Sequence, residues 1–569
     1  MGLVRENLPN LIGGVSQQAF TLRAPNQHTE QINFISSPTV GMAKRPGTEY
    51  VATLGTGIEG AYLHPIEKDR FENYVVLIFD GDLKVFDIDG VEQTVLFNGN
   101  KNYLNTTGDA ELSFLAVDLN DTTLILNKEK VTATEPAPTV TGEYQGNLLW
   151  VRSGNYETTY TVELNSPTLG TETATFTTTA TVESEIQTAF ITLKLKDEIN
   201  NTTNFTALKN MNVAIVEATD GEPFTMTVTT NNDQAQAVAI NGTVETSETL
   251  PTLAPYNYIV EVTPEAGSTA GAYFLQWKSV YTTTTPASGK WEEIRKPGIV
   301  KALDATTMPH SLKRLPNGTF VYYETEWEEW DNGDEDSNPM PGFVGDALTS
   351  IFAWSGRLGL LSTRNVSLSR PNDFFNFSRF TSTGATSADP IDVESGGVES
   401  SDLRHALTFG DEVILFSDYT QYLMSSTSAE GLSASTVAIN PFASYQLDLL
   451  APPVLAGNEI FVALPKGTHA GLLRLSLKRE GLSQTLSLVP SDTTEHVPFY
   501  IPRGIFGLSA SSTYGTSMVL SGLDRSKMWV YRWYEEGGDL IQSSWSTVQL
   551  PADGEFQSAK FIRSQVFLL

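Results

Sequence analysis

Short apolar runs recur along the chain, each tied to a turn of Gly, Asp, Asn or Ser, and this pattern reads as strand and turn rather than helix. Tyr74-Val75-Val76-Leu77-Ile78-Phe79 runs into Asp80-Gly81-Asp82 and then Leu83-Lys84-Val85-Phe86-Asp87-Ile88, predicting two strands around an Asp-Gly turn. A similar phrase spans residues 119–127. In the second half the phrase returns at 352–362, 409–417, 456–464 and 513–521, and again at 561–569. Aligned on Leu360, Leu415, Val462, Val519 and Phe567, the units step by roughly 50 residues. Several short strands per unit at that period predict the blades of a degenerate β-propeller. A series of irregular β-sandwiches, in which turns also recur, is the alternative.

Three stretches depart from the pattern. The first is an N-terminal arm over residues 1–50. Gly13-Gly14-Val15-Ser16-Gln17-Gln18 and Lys44-Arg45-Pro46-Gly47 mark a backbone that turns, runs extended and turns again. The residues between hold few apolar anchors, so the arm needs a large body to lie against. The second is a Thr-rich region between the first units (51–150) and the later ones (299–569). Thr171, Thr173, Thr175 and Thr177 alternate with Glu172, Ala174 and Phe176, as half-solvated strands do. Residues 182–195 fit a short helix or an amphipathic strand. This predicts an inserted, platform-like α+β domain, rich in β, over 151–298. The third is residues 561–569, read as one apolar strand without a partner. On that reading the chain stops inside a unit, or the strand pairs with an N-terminal one to close a ring. The fold class expected is therefore mainly β: a degenerate β-propeller interrupted by an inserted α+β domain, with an extended N-terminal arm.

Composition narrows the function. A length of 569 residues exceeds one core. The chain carries 36 basic against 67 acidic residues, a formal net charge of −31, so its surface repels phosphate and does not favour tight nucleic-acid binding. DNA sliding past without sticking remains compatible with that charge. With no cysteine there is no disulfide, thiolate metal site or Cys nucleophile. No signal-peptide pattern follows Met1-Gly2-Leu3, and no apolar run approaches the ~18 residues of a membrane span, so a soluble protein is expected.

Catalytic and metal patterns are sparse. The six histidines (His28, His64, His310, His405, His469 and His496) have no metal-ligand spacing. There is no phosphate loop and no nucleophile elbow; Gly267-Ser268-Thr269-Ala270-Gly271 comes nearest and reads as a turn. The richest acidic stretch is 324–336, where Tyr322, Tyr323, Trp327 and Trp330 sit beside eight carboxylates. A solvated acidic loop fits this composition. A sugar platform with a general acid and base is an alternative, and so is a cation loop begun by Asn332, Asp334 and Asp336. The cation loop would have Ser337 in place of its glycine and Phe343 at its twelfth position. Asp389-Pro390-Ile391-Asp392 reads as paired turn caps, and Phe374-Phe375-Asn376-Phe377 as core or interface packing. No catalytic residue, cofactor or metal is expected.

Taken together and in order, several phrases resemble the nozzle, or tail tubular protein B, family of short-tailed (podovirus-type) bacteriophages. They are Gly13 to Gln18 with Lys44 to Gly47, Met308-Pro309-His310 with Leu312 and Arg314, and Gly333-Asp334-Glu335-Asp336-Ser337-Asn338-Pro339. Further on come Arg357-Leu358-Gly359-Leu360-Leu361-Ser362, Ser369-Arg370-Pro371 with Phe374-Phe375-Asn376-Phe377, Asp389 to Asp392, and Phe416-Ser417 with Gln421-Tyr422. The region from 155 to 249 carries little of the resemblance.

The resemblance implies a non-enzymatic virion protein, assembled in the host cytoplasm. It would form a homohexameric distal ring of the tail tube that contacts an adaptor ring and tail fibres and conducts and gates genome DNA during ejection. Family members tend to continue past the point where this chain ends. On this reading Gly13, Gly14, Ser16, Gln17, Gln18, Lys44, Arg45, Pro46 and Gly47 form an assembly motif near a subunit or adaptor contact. The alternatives are a propeller glycoside hydrolase, or a carbohydrate-binding module, acting on host surface polysaccharide.

Overall fold

A computed structural model describes residues 10–69, 72–139, 146–232, 234–264, 271–395, 402–428, 431–480, 485–551, 554–563 and 565–569. Met1-Gly2-Leu3 and residues 267–270 of the nearest nucleophile-like turn lie outside these. The chain is mainly β, and among the described residues no helix is long and apolar enough to cross a membrane.

Five antiparallel sheets, numbered I and III to VI, follow one plan, and a sixth, sheet II, departs from it. Sheet I holds Tyr62–Glu67, Asn73–Phe79, Asp82–Asp87 and Glu92–Gln93. Sheet III holds Ser350–Trp354, Arg357–Leu361, Asn365–Leu368 and Ile391–Glu394, and sheet IV runs from Leu403–Phe409 to Val437–Ala443 in the same order. Sheet V is built on Val454–Ala456, Glu459–Lys466, His469–Glu480 and Thr485–Asp492, and sheet VI on Ile505–Ser511, Thr516–Ser521, Lys527–Glu536 and Asp539–Gln549. In each, the second strand carries the apolar phrase and is buried on both faces, as Val76, Leu360, Leu415, Val462 and Val519 are. A strand covered on both sides loses its alternation and reads as a continuous apolar run.

Sheet II is discontinuous in sequence. Phe114–Leu119 and Thr122–Asn127 pair with His310–Arg314 and Phe320–Tyr323, and Val95–Asn98 closes its far edge in parallel. The chain thus leaves this sheet after Asn127 and re-enters it at His310. Between these points it makes its own layers. Asn147–Val151, Phe205–Asn210, Val213–Ala218 and Ala237–Ile240 form one sheet, and Thr159–Ser166, Gly170–Thr177 and Thr225–Thr230 form a second. A helix, Thr188–Asn200, packs between them and buries Ile191, Leu195 and Ile199, spaced four residues apart on one face. Residues 182–195 therefore divide into a 3₁₀ turn, Glu183–Ile186, and the start of this helix. Thr171, Thr173, Thr175 and Thr177 face solvent, while Ala174 is buried in the same core. A further sheet, ending in Lys290–Ile294, covers the opposite face around Trp277 and Tyr258.

The cores of the six sheets form a circuit. Val76 and Val85 of sheet I pack with Phe114 and Ile125 of sheet II. Leu124 and Leu126 of sheet II pack with Leu358 and Leu360 of sheet III. Sheet III meets IV through Leu361 and Leu415, IV meets V through Ile414 and Val462, and V meets VI through Phe461 and Trp529. The last step returns to the beginning. Ala559–Ile562 and Gln565–Leu568 form a hairpin, whose Ala559 joins the outer core of sheet VI while Ile562 and Phe567 pack on Leu63 and Leu77 of sheet I.

Residues 561–569 are thus not one unpartnered strand. Arg563 turns the chain at φ 54°, and Phe561 and Ile562 pair with Val566 and Gln565. The hairpin meets the first sheet through side chains and through Gln557, whose Oε1 accepts the Gly60 amide at 3.1 Å.

Candidate functional site

The N-terminal arm is a ribbon laid along the outer strand of sheet VI. Gly14–Val15 pairs in parallel with Gln27–His28, and Phe34–Ser37 forms a hairpin with Gly41–Lys44. Gly14 (φ +66°) sits so close to sheet VI that a Cβ would lie 2.7 Å from the Trp545 carbonyl oxygen; only glycine supplies both that φ and that approach. Val15, fully buried, enters the core between sheets V and VI beside Trp545.

The ribbon then runs back along the same strand as a backbone graft. Thr547 donates its amide to the Gln31 carbonyl at 2.9 Å, and Asn33 donates to the Thr547 carbonyl at 2.7 Å. Gln31 is buried; its amide group donates to the Phe34 carbonyl and the Ser36 hydroxyl, and its Oε1 lies 2.6 Å from His28 Nε2. The Ser36 carbonyl accepts from Gln542 Nε2 at 2.9 Å and from Arg532 at 3.3 Å. An edge strand left bare would expose unpaired amides and carbonyls, and the ribbon covers that edge.

The two sequence motifs have different fates within it. In the first, Gly14 and Ser16 are buried and Gly13 is half-buried, its amide donating to the Asn26 carbonyl at 3.1 Å. Gln17 and Gln18 are exposed at the surface. Gln17 still clasps sheet V's exit loop, its amide donating to the His496 carbonyl at 2.9 Å and its Oε1 accepting from the Phe499 amide at 2.8 Å. In the second motif Lys44, Pro46 and Gly47 are exposed and Arg45 is half-buried. Arg45 Nε donates to Asn33 Oδ1 at 3.0 Å, and the same oxygen accepts the Gln549 amide at 3.2 Å. Asn33, at φ 59°, is thus the joint between the second motif and sheet VI. Gln31 and Asn33 had no place in the sequence motif. A lone Asn ahead of a strand is a turn signal that could have drawn attention to Asn33; nothing local marks Gln31. Beside Gln17 and Gln18 the ribbon carries two apolar side chains in the open, Phe20 at 89% and Leu22 at 73% exposure, and Phe499 nearby is 66% exposed.

The other candidate chemistry dissolves into structure. Trp327 and Trp330 are buried in the core shared by sheets II and III, against Phe343 and Phe377, so neither offers a sugar platform. Glu326, Glu328, Glu329, Asp331, Glu335 and Asp336 are exposed around them, and Glu329 pairs with Lys301. Asp334 closes its own turn: Oδ1 accepts from the Ser337 amide and hydroxyl and from the Asp336 amide. Burial alone would raise its pKa, but those donors hold it below the ordinary carboxylate range. Asp389 caps the 380–389 loop by accepting the Phe380 and Thr386 amides, and Asp392 accepts from the Gly342 amide and the Ser367 hydroxyl. Among the described residues no cluster of three or more His, Asp or Glu has the geometry of a metal site. His310 is a core residue, stacked on Tyr103 at 4.2 Å and on Tyr322 at 5.4 Å.

Comparison with known proteins identifies relatives. The chain is 28% identical over 590 residues to the tail tubular protein gp12 of Escherichia phage T7, a match covering 100% of this chain and 71% of that protein. Among solved structures it is similar to the periplasmic gluconolactonase PpgL of Pseudomonas aeruginosa, at 11% identity and TM-score 0.25, over 69% of this chain and 96% of that one. It is also similar to PorZ of Porphyromonas gingivalis, at 8% identity and TM-score 0.25, over 85% and 63%. At those TM-scores the likenesses carry nothing about fold or chemistry. The profile of the family described as bacteriophage nozzle protein matches residues 1–569. The chain belongs to that bacteriophage nozzle protein family.

Proposed function

We propose that this virion tail component acts as a non-catalytic ring subunit, six copies of which surround a channel that conducts and gates genome DNA. The six sheets are taken as propeller blades, a reading supported by the circuit of cores that runs from sheet I to sheet VI and back through the C-terminal hairpin. The segment between Asn127 and His310 is taken as an inserted platform domain, supported by its own sheets and its own core.

The observation that carries the assembly role is the ribbon. It is anchored to sheets V and VI by buried Gly14, Val15 and Gln31, yet it displays Gln17, Gln18, Phe20, Leu22 and Lys44 outward. Rigid anchoring with exposed apolar side chains suits a surface that receives a neighbouring subunit or an adaptor ring. Tail fibres would dock near that junction. The net charge of −31 suits a conduit, since phosphate contacts along a wall would retard passing DNA.

Mass photometry of the purified protein with negative-stain imaging tests the reading. A closed ring of six is expected, and Phe20→Ser with Leu22→Ser is expected to shift the population toward monomer or to abolish capture by adaptor rings. A protein that stays monomeric at high concentration, and is absent from labelled virion tails, would overturn it.

A further inference from the structure

Where sheets I, II, V and VI meet the C-terminal hairpin there is a cavity of about 190 Å³. Its wall draws on sheets I, II, V and VI and on the C-terminal hairpin, including Tyr62, Phe114, Val454, Leu508 and Ala559. Two lysines line it, Lys128 just after the second strand of sheet II and Lys560 in the hairpin, and both are half-buried. Among the described residues neither ammonium has an ion pair. The one acid on the wall, Glu111, is already engaged as a bidentate partner of Arg525. Arg404 adds a third positive charge near Lys128, and it faces Asp402 and Asp418 rather than the cavity lysines.

This arrangement is unexpected in a chain with a net charge of −31. Two ammonium groups held partly out of water without a counter-charge pay a desolvation cost that nothing in the wall offsets. Burial, with Arg404 adding to it, pulls Lys128 down to about 8, and burial pulls Lys560 down as well. The remaining polar groups on the wall are donors or can donate. Tyr62 Oη accepts the Ala116 amide at 3.3 Å, which leaves its own proton free to point inward. The Ser558 hydroxyl lies on the same wall.

From the cavity, its two lysines without a counter-ion and its supply of hydroxyl donors, we infer that this seam between the first and last sheets is a binding site for one compact oxyanion, of the phosphate or carboxylate class. The anion supplies the missing counter-charge on the wall that carries Lys128 and Lys560, at the seam where the last sheet meets the first. A volume near 190 Å³ admits an inorganic phosphate with a few waters, but not a stretch of nucleic acid. This site does not depend on the proposed channel between subunits.

Isothermal titration of the full chain with inorganic phosphate and, separately, acetate at fixed ionic strength tests the inference and distinguishes the two anions. One saturable site per chain is expected, weakened at least tenfold by Lys128→Met and by Lys560→Met and unchanged by Lys84→Met at the surface. Hydrogen exchange provides a second readout: phosphate should slow exchange in residues 559–568 of the wild type and not of the two variants. In anion-poor buffer each Met variant should melt at or above the wild-type temperature, because an uncompensated charge is gone. Absence of saturable binding, or binding and exchange indifferent to both substitutions, would overturn the site. Variants that melt well below wild type in anion-poor buffer would overturn it too, by showing that the lysines are stabilised without an anion.

Discussion

Gly14 lies against Trp545 with no room for a side chain: a Cβ would stand 2.7 Å from the Trp545 carbonyl oxygen and 2.8 Å from its amide nitrogen. Both contacts are backbone, so neither can swing aside. The left-handed φ of +66° adds a conformational cost of about 1–2 kcal/mol for any L side chain. Gly14→Ala is therefore expected to cost about 2–4 kcal/mol at the ribbon. Because the ribbon lies on an already formed sheet, the loss should be local. Hydrogen exchange and limited proteolysis should speed up across 13–45 while sheets I to IV stay protected. Uniform loss of protection would mean that the ribbon is part of the cooperative core.

The tryptophans of the acidic stretch are positioned to stabilise, not to bind. Trp330 is fully buried with Met308, Phe343 and Leu358. Trp330→Ala should lower stability by about 3–5 kcal/mol through the cavity it leaves. Glu328→Gln, on the solvent side, should change stability by less than about 0.5 kcal/mol. Neither substitution should alter any interaction with capsular polysaccharide. A Trp330→Ala protein that melts normally and has lost polysaccharide binding would return the platform reading.

Why some features were legible in the sequence and others not follows from the range of the interactions involved. The strand–turn–strand phrases rest on local chemistry. Gly81, Gly356, Gly410, Gly457 and Gly515 all adopt positive φ, as does Asn120, and each sits between paired strands. The C-terminal hairpin turns instead at Arg563, a residue with no turn propensity, so it read as one strand. The acidic stretch read as a solvated loop, and most of its carboxylates are exposed, but the fate of its tryptophans was hidden. In Glu326-Trp327-Glu328-Glu329-Trp330 rings and carboxylates are interleaved, and no local signal says whether the rings meet solvent or core. The parallel pairing of Val95–Asn98 with Phe320–Tyr323 joins positions 225 apart (320 − 95) and leaves no local trace. At the ribbon the glycines announced a constrained backbone. The partners that constrain it, Trp545 and Thr547, are set by tertiary structure alone.

His310 should make the protein sensitive to mild acid. It is 1% exposed, its Nδ1 is 2.9 Å from the Met308 carbonyl oxygen, and burial pushes its pKa down to about 4 although that hydrogen bond opposes the shift. The folded value lies below the unfolded 6.5, so the unfolded chain takes up the proton first. The contribution is complete above about pH 6.5 and is lost as pH falls toward 4, on the order of 1–3 kcal/mol. His405 behaves the same way, since burial pushes it down to about 4 also. His310→Phe would keep the stack on Tyr103 and Tyr322 and lose the titration. Its melting temperature should therefore fall less than that of the wild type between pH 7 and pH 4.5. Parallel slopes in the two proteins would contradict this assignment.

Arg474 joins sheet V to sheet VI through charge. It is 5% exposed, with Nε 2.7 Å from Glu459 Oε2 and a second donation to the same carboxylate at 3.2 Å, and it also reaches Glu535 on the third strand of sheet VI. Truncating one member of such a group leaves carboxylates partly desolvated with no partner, which costs more than the pair itself contributes. Arg474→Met is expected to destabilise by about 2–4 kcal/mol. Lys should rescue little, because a point charge cannot serve two carboxylates with the planar fork of Arg. Adding Glu459→Gln to Arg474→Met should recover part of the loss, since Ser476 still donates to that position at 2.8 Å. A double-mutant cycle read by urea melts decides the matter: a coupling energy of about 1 kcal/mol or more places the strain on the orphaned carboxylate, and strict additivity would assign the loss to packing of the Arg474 stem instead.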